Sequence, residues 1–185
     1  MRKLIASEWV TLDGVFDADT MSQWFEPYES HDRANYIRDT VLAAGALLLG
    51  HTTYTMLGNY WSSKTNNEAG IADKLNSMPK HVAASSTPQI HWNNSTVVSG
   101  NVEQEATKLK QQSGQDVLII GSGMLVRSLM HAGLIDEFRF LVHPIVTGVG
   151  KRFFDDDTFE QKLRLVTSAA FSQGVLLLCY QPQGR

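Results

Sequence analysis

Apolar residues in the first quarter of the chain are grouped in a way that predicts a strand, a helix and a second strand. Residues 3–10 are mainly apolar and Asp13-Gly14 follows as a turn signal, which indicates an opening strand and a loop. Between residues 30 and 44, apolar positions recur every three or four residues, which predicts a helix with Ser30 as its N-cap. Residues 46–49 are wholly apolar and end at Gly50, as expected of a strand covered on both faces.

The order of strand, glycine and helix returns further along the chain. Residues 116–120 form a strongly apolar strand, then come Gly121-Ser122-Gly123 and a predicted helix over 124–132. The intervening segments predict short helices over 52–57 and 102–112 and short strands over 80–84 and 96–98, whereas residues 62–69 are polar enough for a loop.

The last third of the chain carries alternating patterns with little helix between them. Residues 137–142, 163–170 and 171–180 are the predicted strands, joined through turns. Parallel units therefore give way to antiparallel strands. The fold class that follows is a three-layer α/β/α domain with a mixed, mainly parallel central sheet.

Composition and charge narrow the class of protein. The chain has 185 residues, 43% of them hydrophobic, and residues 1–185 are expected to form a single domain. Sixteen basic against nineteen acidic side chains give a net charge of −3, which argues against a nucleic-acid partner. We find no signal peptide and no apolar run long enough for a bilayer, and the lone Cys179 suits a reducing cytoplasm, so we expect a cytoplasmic protein without a membrane partner.

Three polar junctions at predicted strand ends could bind phosphate. Gly121-Ser122-Gly123 stands between a strand and a helix, where free amides and the helix dipole attract anions. The segment lacks the third glycine of a dinucleotide fingerprint and the Lys of a P-loop, so a plain tight turn is the alternative. Gly50-His51-Thr52-Thr53 is a second such junction, and Ser85-Ser86 adds two hydroxyl groups after a third strand.

These junctions carry a resemblance that extends over most of the chain. The segments that show it are SEWVTLDG, ALLLGHTTYTMLGNYW, MPKHVAASS and DVLIIGSGMLVRSLMHAGLIDEFRFLVHPIVTGVGKRFF. They resemble the dihydrofolate reductase superfamily, and within it the branch of the riboflavin-biosynthesis reductase C-terminal domain. The resemblance implies the dihydrofolate reductase-like fold and a reductase that uses NADPH. The residues that it would bring to this cofactor are Gly50, His51, Thr53, Ser85, Ser86, Gly121, Ser122, Gly123, Met124 and Leu125.

The reaction also needs a proton from an acid or an ordered water, and two acidic residues are candidate catalytic groups. Asp13 lies in the turn after the first strand, where a carboxylate could face the site and contact the substrate or the nicotinamide, although an Asp-Gly turn needs no function. Asp32 begins the first long helix near the place where folate reductases carry their acid, but it also suits the helix dipole. Trp24 and Tyr28, in the loop before that helix, could stack on a flat substrate ring or could pack in the core.

The substrate is left open between several classes. The resemblance implies hydride transfer to a small heterocyclic or imine-type compound, with 5-amino-6-(5-phosphoribosylamino)uracil of riboflavin biosynthesis as one candidate. A non-catalytic nucleotide-binding module and a true dihydrofolate reductase are the alternatives. A 2′-phosphate usually binds Arg or Lys, whereas the chain has His51 at the matching position and Lys80 nearby in sequence. We expect no metal site, and the resemblance implies a homodimer.

Overall fold

The strands of the computed structural model, which describes residues 1–85, 89–98, 100–155 and 160–184, lie side by side in one mixed sheet. Their spatial order is β4-β3-β2-β5-β1-β6-β8-β7. Six neighbouring strands, from β4 to β6, are parallel, and β8 runs antiparallel to both of its neighbours. The strands are β1 (Leu4–Thr11), β2 (Ala46–Gly50), β3 (Lys80–Ala83), β4 (Ser95–Val98), β5 (Val117–Ile119), β6 (Glu137–His143), β7 (Leu163–Ala170) and β8 (Leu176–Pro182).

Helices cover both faces of this sheet. They are α1 (Met21–Trp24), α2 (His31–Ala43), α3 (His51–Trp61), α4 (Ala72–Ser77), α5 (Val102–Gln111) and α6 (Gly123–His131). Strand β2 shows the two faces clearly, because successive side chains of a strand point in opposite directions. Leu48 packs in the core under α5 and α6, whereas Leu47 and Leu49 pack under α2, α3 and α4. The predicted three-layer α/β/α fold class is confirmed.

Most predicted elements are present within a few residues of their expected bounds. The helix α3 is longer than expected, because it continues from His51 to Trp61. The segment after it, predicted as a loop, leads through a 3-10 turn at Glu68–Gly70 into α4, which the sequence did not reveal. The last strand begins later than predicted, since residues 171–175 form the turn between β7 and β8.

The sheet ends on one side at β7, whose outer edge is unpaired among the described residues. All of its residues except the first are exposed, including Leu165 and Val166. An exposed edge of this kind offers free backbone groups for pairing with another strand.

None of the helices in the described part of the chain combines the length and the apolar character needed to cross a lipid bilayer.

Candidate functional site

Two of the predicted junctions lie against each other at the carboxyl ends of the neighbouring strands β2 and β5. The amide of Gly50 donates a hydrogen bond to the carbonyl oxygen of Gly121 over 3.4 Å. A Cβ atom on Gly50 would lie only 2.5 Å from Oγ of Ser122, and one on Gly121 would lie 2.7 Å from Oγ1 of Thr53. Both positions therefore require glycine so that the two strand ends can approach closely. The Gly121-Ser122 peptide bond is cis.

A wide groove runs along one side of this contact, with an empty volume of about 1000 Å³. Its described lining combines hydroxyl groups, backbone and a few apolar side chains from the ends of four strands. The lining residues are Gly50, His51, Thr52, Ala83, Ala84, Ser85, Val98, Gly100, Val102, Ser122, Met124, Leu125 and Ser128. Six of the residues predicted to bind the cofactor are thus brought together here, whereas Ser86 lies outside the described residues.

Three helices begin at the groove, and their N-termini differ in how their amides are bonded. Ser122 caps α6, since its Oγ accepts a hydrogen bond from the amide of Leu125 over 3.5 Å. Asn101 caps α5 by accepting from two amides. No described side chain caps α3, which begins at His51 directly after Gly50. The first amides of α3 are therefore available to an anion in the groove.

A smaller, mainly apolar cavity lies on the other side of the contact, with an empty volume of about 500 Å³. It is lined by Ser7, Glu8, Trp9, Phe16, Asp17, Ala18, Met21, Trp24, Thr53, Met56, Leu57, Ile120 and Gly121. Thr53 and Gly121, both predicted for the cofactor, belong to this cavity. The indole of Trp24 is 2% exposed and belongs to the cavity wall. Tyr28 is not among the lining residues, and its ring packs against His143.

Glu8 is the residue of this cavity that sequence reasoning missed. Its side chain is 1% exposed, and both carboxylate oxygens accept from the amide of Gly121, at 2.9 and 3.0 Å. Burial raises the pKa of the Glu8 carboxyl well above its ordinary value, and the Gly121 amide offsets only part of this effect. A carboxylate within a mainly apolar opening strand was the available signal.

Asp13 holds two loops together at the end of β1. Its carboxylate accepts from Oγ1 of Thr11 over 2.6 Å and from the amide of Gly148 over 2.9 Å, and the guanidinium of Arg152 donates to its backbone carbonyl. These hydrogen bonds lower the pKa of Asp13 to about 2, with the bond from Thr11 the largest cause. At neutral pH the group is ionised, so it has no proton to donate, and the structure does not place it in the cavity wall.

Asp32 is also engaged away from the cavity. Its carboxylate accepts from Oγ of Ser30 over 2.6 Å and from both the amide and the hydroxyl of Ser172 over 2.8 Å. The bond from Ser30 contributes most to lowering the pKa of Asp32 below its ordinary value. These contacts connect the start of α2 to the turn between β7 and β8, which is a structural role.

Behind the cavity, His143 and Arg33 form a buried polar pair. Nη1 of Arg33 lies 3.1 Å from Nε2 of His143, and Nδ1 of the same ring lies 3.1 Å from the carbonyl oxygen of Val10. Because a guanidinium can only donate, Nε2 must accept, and the ring proton sits on Nδ1 and is donated to Val10. Burial, as the largest cause, lowers the pKa of His143 to about 4. The ring is therefore neutral at physiological pH.

Lys80 does not reach the groove, although its sequence position suggested a contact with a cofactor phosphate. It begins β3, opposite Leu47, whereas the groove lies at the other end of that strand near Ala83. Its Nζ is fully buried and donates to the carbonyl oxygens of Met78 and Asn93, over 2.9 and 2.8 Å. The ammonium group thus has a structural role.

The molecule is an α/β domain with a mainly parallel sheet. A polar groove and an apolar cavity meet at the carboxyl ends of β2 and β5, the edge at which open α/β sheets bind ligands. The family model described as the RibD C-terminal domain matches residues 2–177, and this chain belongs to that family.

Relatives and solved structures agree with this membership. The Bacillus subtilis protein YyaP is 27% identical over 186 residues, which covers 99% of this chain and 96% of YyaP. A protein from Shewanella sp. PV-4 that bears the name 'putative riboflavin biosynthesis protein' superposes with a TM-score of 0.72 at 17% identity, over 100% of both chains. A Thermotoga maritima diaminohydroxyphosphoribosylaminopyrimidine deaminase/5-amino-6-(5-phosphoribosylamino)uracil reductase superposes with a TM-score of 0.68 at 14% identity, over 98% of this chain and 56% of the other. The structural neighbours show that the fold is the one found in these reductase domains, which is dihydrofolate reductase-like.

Proposed function

We propose that the protein is an oxidoreductase that binds NADPH and reduces a small heterocyclic or imine-type substrate. The observation that carries this proposal is the junction of a phosphate-suited groove with an apolar cavity across the single wall formed by Gly50, Gly121 and Ser122. A dinucleotide needs a polar site for its phosphates and a dry site for its reacting ring. Membership of the RibD C-terminal domain family supports the same conclusion.

In this proposal the residues of the groove and of the cavity bind different parts of the cofactor. The uncapped amides of α3, at His51 and Thr52, and the hydroxyl of Ser85 would hold phosphate and adenosine groups in the groove. Gly121 and Thr53 would face the nicotinamide, because both line the apolar cavity. When bound, the cofactor supplies a hydride. The chain's own contribution is to orient it and to exclude water from the reacting ring.

The preference between NADPH and NADH depends on the cations at the adenosine end. His51 is the one described residue of the groove lining whose side chain can carry a positive charge, and it is exposed. Its Nε2 lies 3.4 Å from Oγ1 of Thr55, one turn further along α3. We propose that His51 contacts the 2′-phosphate, and that the discrimination is weaker than an Arg would give.

Titration with NADPH and with NADH tests the proposed function. Trp9 and Trp24 line the cavity, so binding is expected to quench tryptophan emission and to transfer energy to the nicotinamide. We expect NADPH to bind at micromolar or lower concentration, on the order of −8 kcal/mol, and more tightly than NADH. If neither cofactor binds, the oxidoreductase proposal is rejected.

Turnover then separates the remaining candidates. The substrate screen begins with phosphoribosylated aminopyrimidines, because the Thermotoga maritima neighbour is named as a 5-amino-6-(5-phosphoribosylamino)uracil reductase. Oxidation of bound NADPH by such a compound would support a riboflavin-type reductase, and oxidation by dihydrofolate would indicate a folate reductase. Tight binding without turnover across the screen would indicate a nucleotide-binding module. We further propose that the protein works in the cytoplasm, where this cofactor is available.

We also propose that two copies pair through the exposed edge strand β7. Light scattering is then expected to give about twice the chain mass of 20.6 kDa. Val166 is 46% exposed on β7, and Val166→Lys should shift the protein toward the monomer because it places a charge in the proposed apolar contact. Leu42 is 41% exposed on α2, and Leu42→Lys is the matched control that should leave the dimer intact. A wild-type mass near 20.6 kDa would contradict the proposal.

A further inference from the structure

The carboxyl group of Glu8 has a position that the hydrogen bonds around it do not explain. It is buried in the wall of the apolar cavity, and the amide of Gly121 is the one hydrogen-bond donor that it has within the described residues. None of the ion pairs formed by the described residues includes it. An unpaired buried carboxylate is costly, so the group is expected to hold its proton while the cavity is dry.

Asp17, the other carboxylate of the cavity, provides a contrast. It is paired with Nζ of Lys151 at 3.8 Å, and it accepts from the amide of Asp19 at the start of a 3-10 turn. These interactions explain the position of the Asp17 carboxylate, which has a structural role in its loop. Glu8 belongs to β1, which lies inside the sheet between β5 and β6, and its backbone is paired with Phe140 of β6. A reactive group on a strand is more precisely held than one on a loop.

We propose that Glu8 is the acid that gives a proton to the nitrogen of a neutral C=N substrate bound in the apolar cavity. This assignment rests on the proposed function, because the reduction requires the bound cofactor. The contact between Glu8 and Gly121 carries the assignment: Gly121 lines the same cavity and stands at the cofactor junction, so the acid lies beside the place proposed for hydride transfer.

The hydride and the proton that the reduction adds come from two different groups, the bound cofactor and Glu8. The substrate carbon accepts a hydride from the bound cofactor, which becomes NADP⁺, and the C=N double bond becomes a single bond. The O–H bond of Glu8 breaks as a new N–H bond forms, which leaves an amine and the Glu8 carboxylate. The carboxylate stays hydrogen-bonded to the Gly121 amide. It regains a proton from the solvent after the product leaves.

The nitrogen of a C=N bond is a suitable acceptor for the proton of the buried Glu8 carboxyl group. General acids work best when their pKa lies near the working pH and near that of the atom they protonate. A protonated imine is a weak acid, comparable to a buried carboxyl, whereas a protonated carbonyl oxygen is a very strong acid. Burial raises the pKa of Glu8 above that of an ordinary carboxyl group, which is the direction that suits proton transfer to an imine nitrogen. The apolar walls favour a flat, uncharged ring.

The protonation state of Glu8 is tested by infrared spectroscopy on the complex with NADPH. Cofactor binding is measured first, so that a failure of the proposed function is seen separately from a failure of this assignment. At neutral pH the wild type is expected to show a protonated-carboxyl C=O band that is absent from Glu8→Gln. With NADP⁺ in place of NADPH, adding the cyclic imine 3,4-dihydroisoquinoline should weaken this band as the proton passes to the nitrogen. An ionised Glu8 at neutral pH would overturn the proposal.

Single-turnover reduction of the same imine by the NADPH complex tests the role in the reaction. Glu8→Gln is expected to slow this step by at least about 100-fold and to remove the fall in rate that the wild type shows with rising pH. Its dissociation constant for NADPH should stay within about threefold of the wild-type value, since glutamine keeps an acceptor for Gly121. Glu137→Gln is the control for removing a buried strand carboxylate outside the cavity. Glu137 begins β6 and is paired with Arg139 at 2.7 Å, and its replacement should leave the wild-type pH profile unchanged.

Three further results would overturn the assignment. A Glu8→Gln protein with the wild-type rate and pH profile would show that the proton comes from another group. A wild-type protein that binds NADPH and leaves the imine unreduced would refute the substrate class. A protein that binds neither NADPH nor NADH would remove the proposed function and this step with it.

Discussion

Replacing Ser122 with aspartate is expected to weaken NADPH binding by at least about 100-fold. Ser122 lines the groove and caps α6, and aspartate caps helices as well as serine does, so the helix should keep its first hydrogen bond. The added carboxylate, however, would stand beside Gly50 and the start of α3, where the phosphates are proposed to bind. Two like charges about 5 Å apart near a protein surface repel by roughly 3 kcal/mol, which corresponds to more than 100-fold in affinity.

Asparagine at the same position is the matched control. It has the shape of aspartate and also caps helices, but it carries no charge. Ser122→Asn should therefore bind NADPH within a few-fold of the wild type, and both variants should unfold at a similar temperature. Fluorescence titration of the three proteins checks the prediction. Equal affinities for Ser122→Asp and Ser122→Asn would show that the phosphates do not bind in the part of the groove beside Ser122.

Acidification is expected to destabilise the protein through His143. The pKa of this buried imidazole is lowered from 6.5 to about 4, so as the pH falls the unfolded chain takes up the proton first. The contribution to stability is complete above pH 6.5 and is lost as the pH falls toward 4. The loss in the free energy of unfolding should reach roughly 3 kcal/mol, because one pKa unit corresponds to about 1.4 kcal/mol. A proton on Nε2 would also face the guanidinium of Arg33.

His143→Gln tests this attribution, since glutamine can accept from Arg33 and donate to Val10 without titrating. Chemical denaturation at about pH 7 and pH 4.5 measures the free energy of unfolding for each protein. The variant should be less stable than the wild type at pH 7 and should lose much less on acidification. His31→Gln, at the exposed start of α2, is the control and should follow the wild type. Equal losses in the wild type and in His143→Gln would assign the acid sensitivity to other groups.

The architecture could be read from the sequence because its signals are local. A strand buried on both faces is a continuous apolar run, as at residues 46–49, and each such run here is followed by glycine and a helix. The same pattern located the junctions, since a polar turn directly after a buried strand of a parallel sheet has few other places to lie. The helix α4 was missed because it is short and follows a polar segment with no apolar periodicity.

The residue proposed as the acid could not be found from the sequence in this way. Asp13 and Asp32 were attractive because they stand beside a turn and a helix start, but such positions also supply hydrogen-bond donors that keep a carboxylate ionised. Glu8 stands in an apolar strand where the sequence offers no partner. Its environment arises only when β1 and β5 are paired and bring the Gly121 amide to it across 113 positions of sequence.

By itself the sequence determined the layers of the fold, the order of strand and helix, and the glycines at which two strand ends meet, because apolar periodicity and backbone freedom are properties of neighbouring residues. Only the tertiary structure decided which polar groups share a space. It joined Gly50 to Gly121, turned Lys80 away from the groove, and buried Glu8 and His143. Desolvation and hydrogen bonding depend on what surrounds a group in space, and that is set by chain segments far apart in sequence.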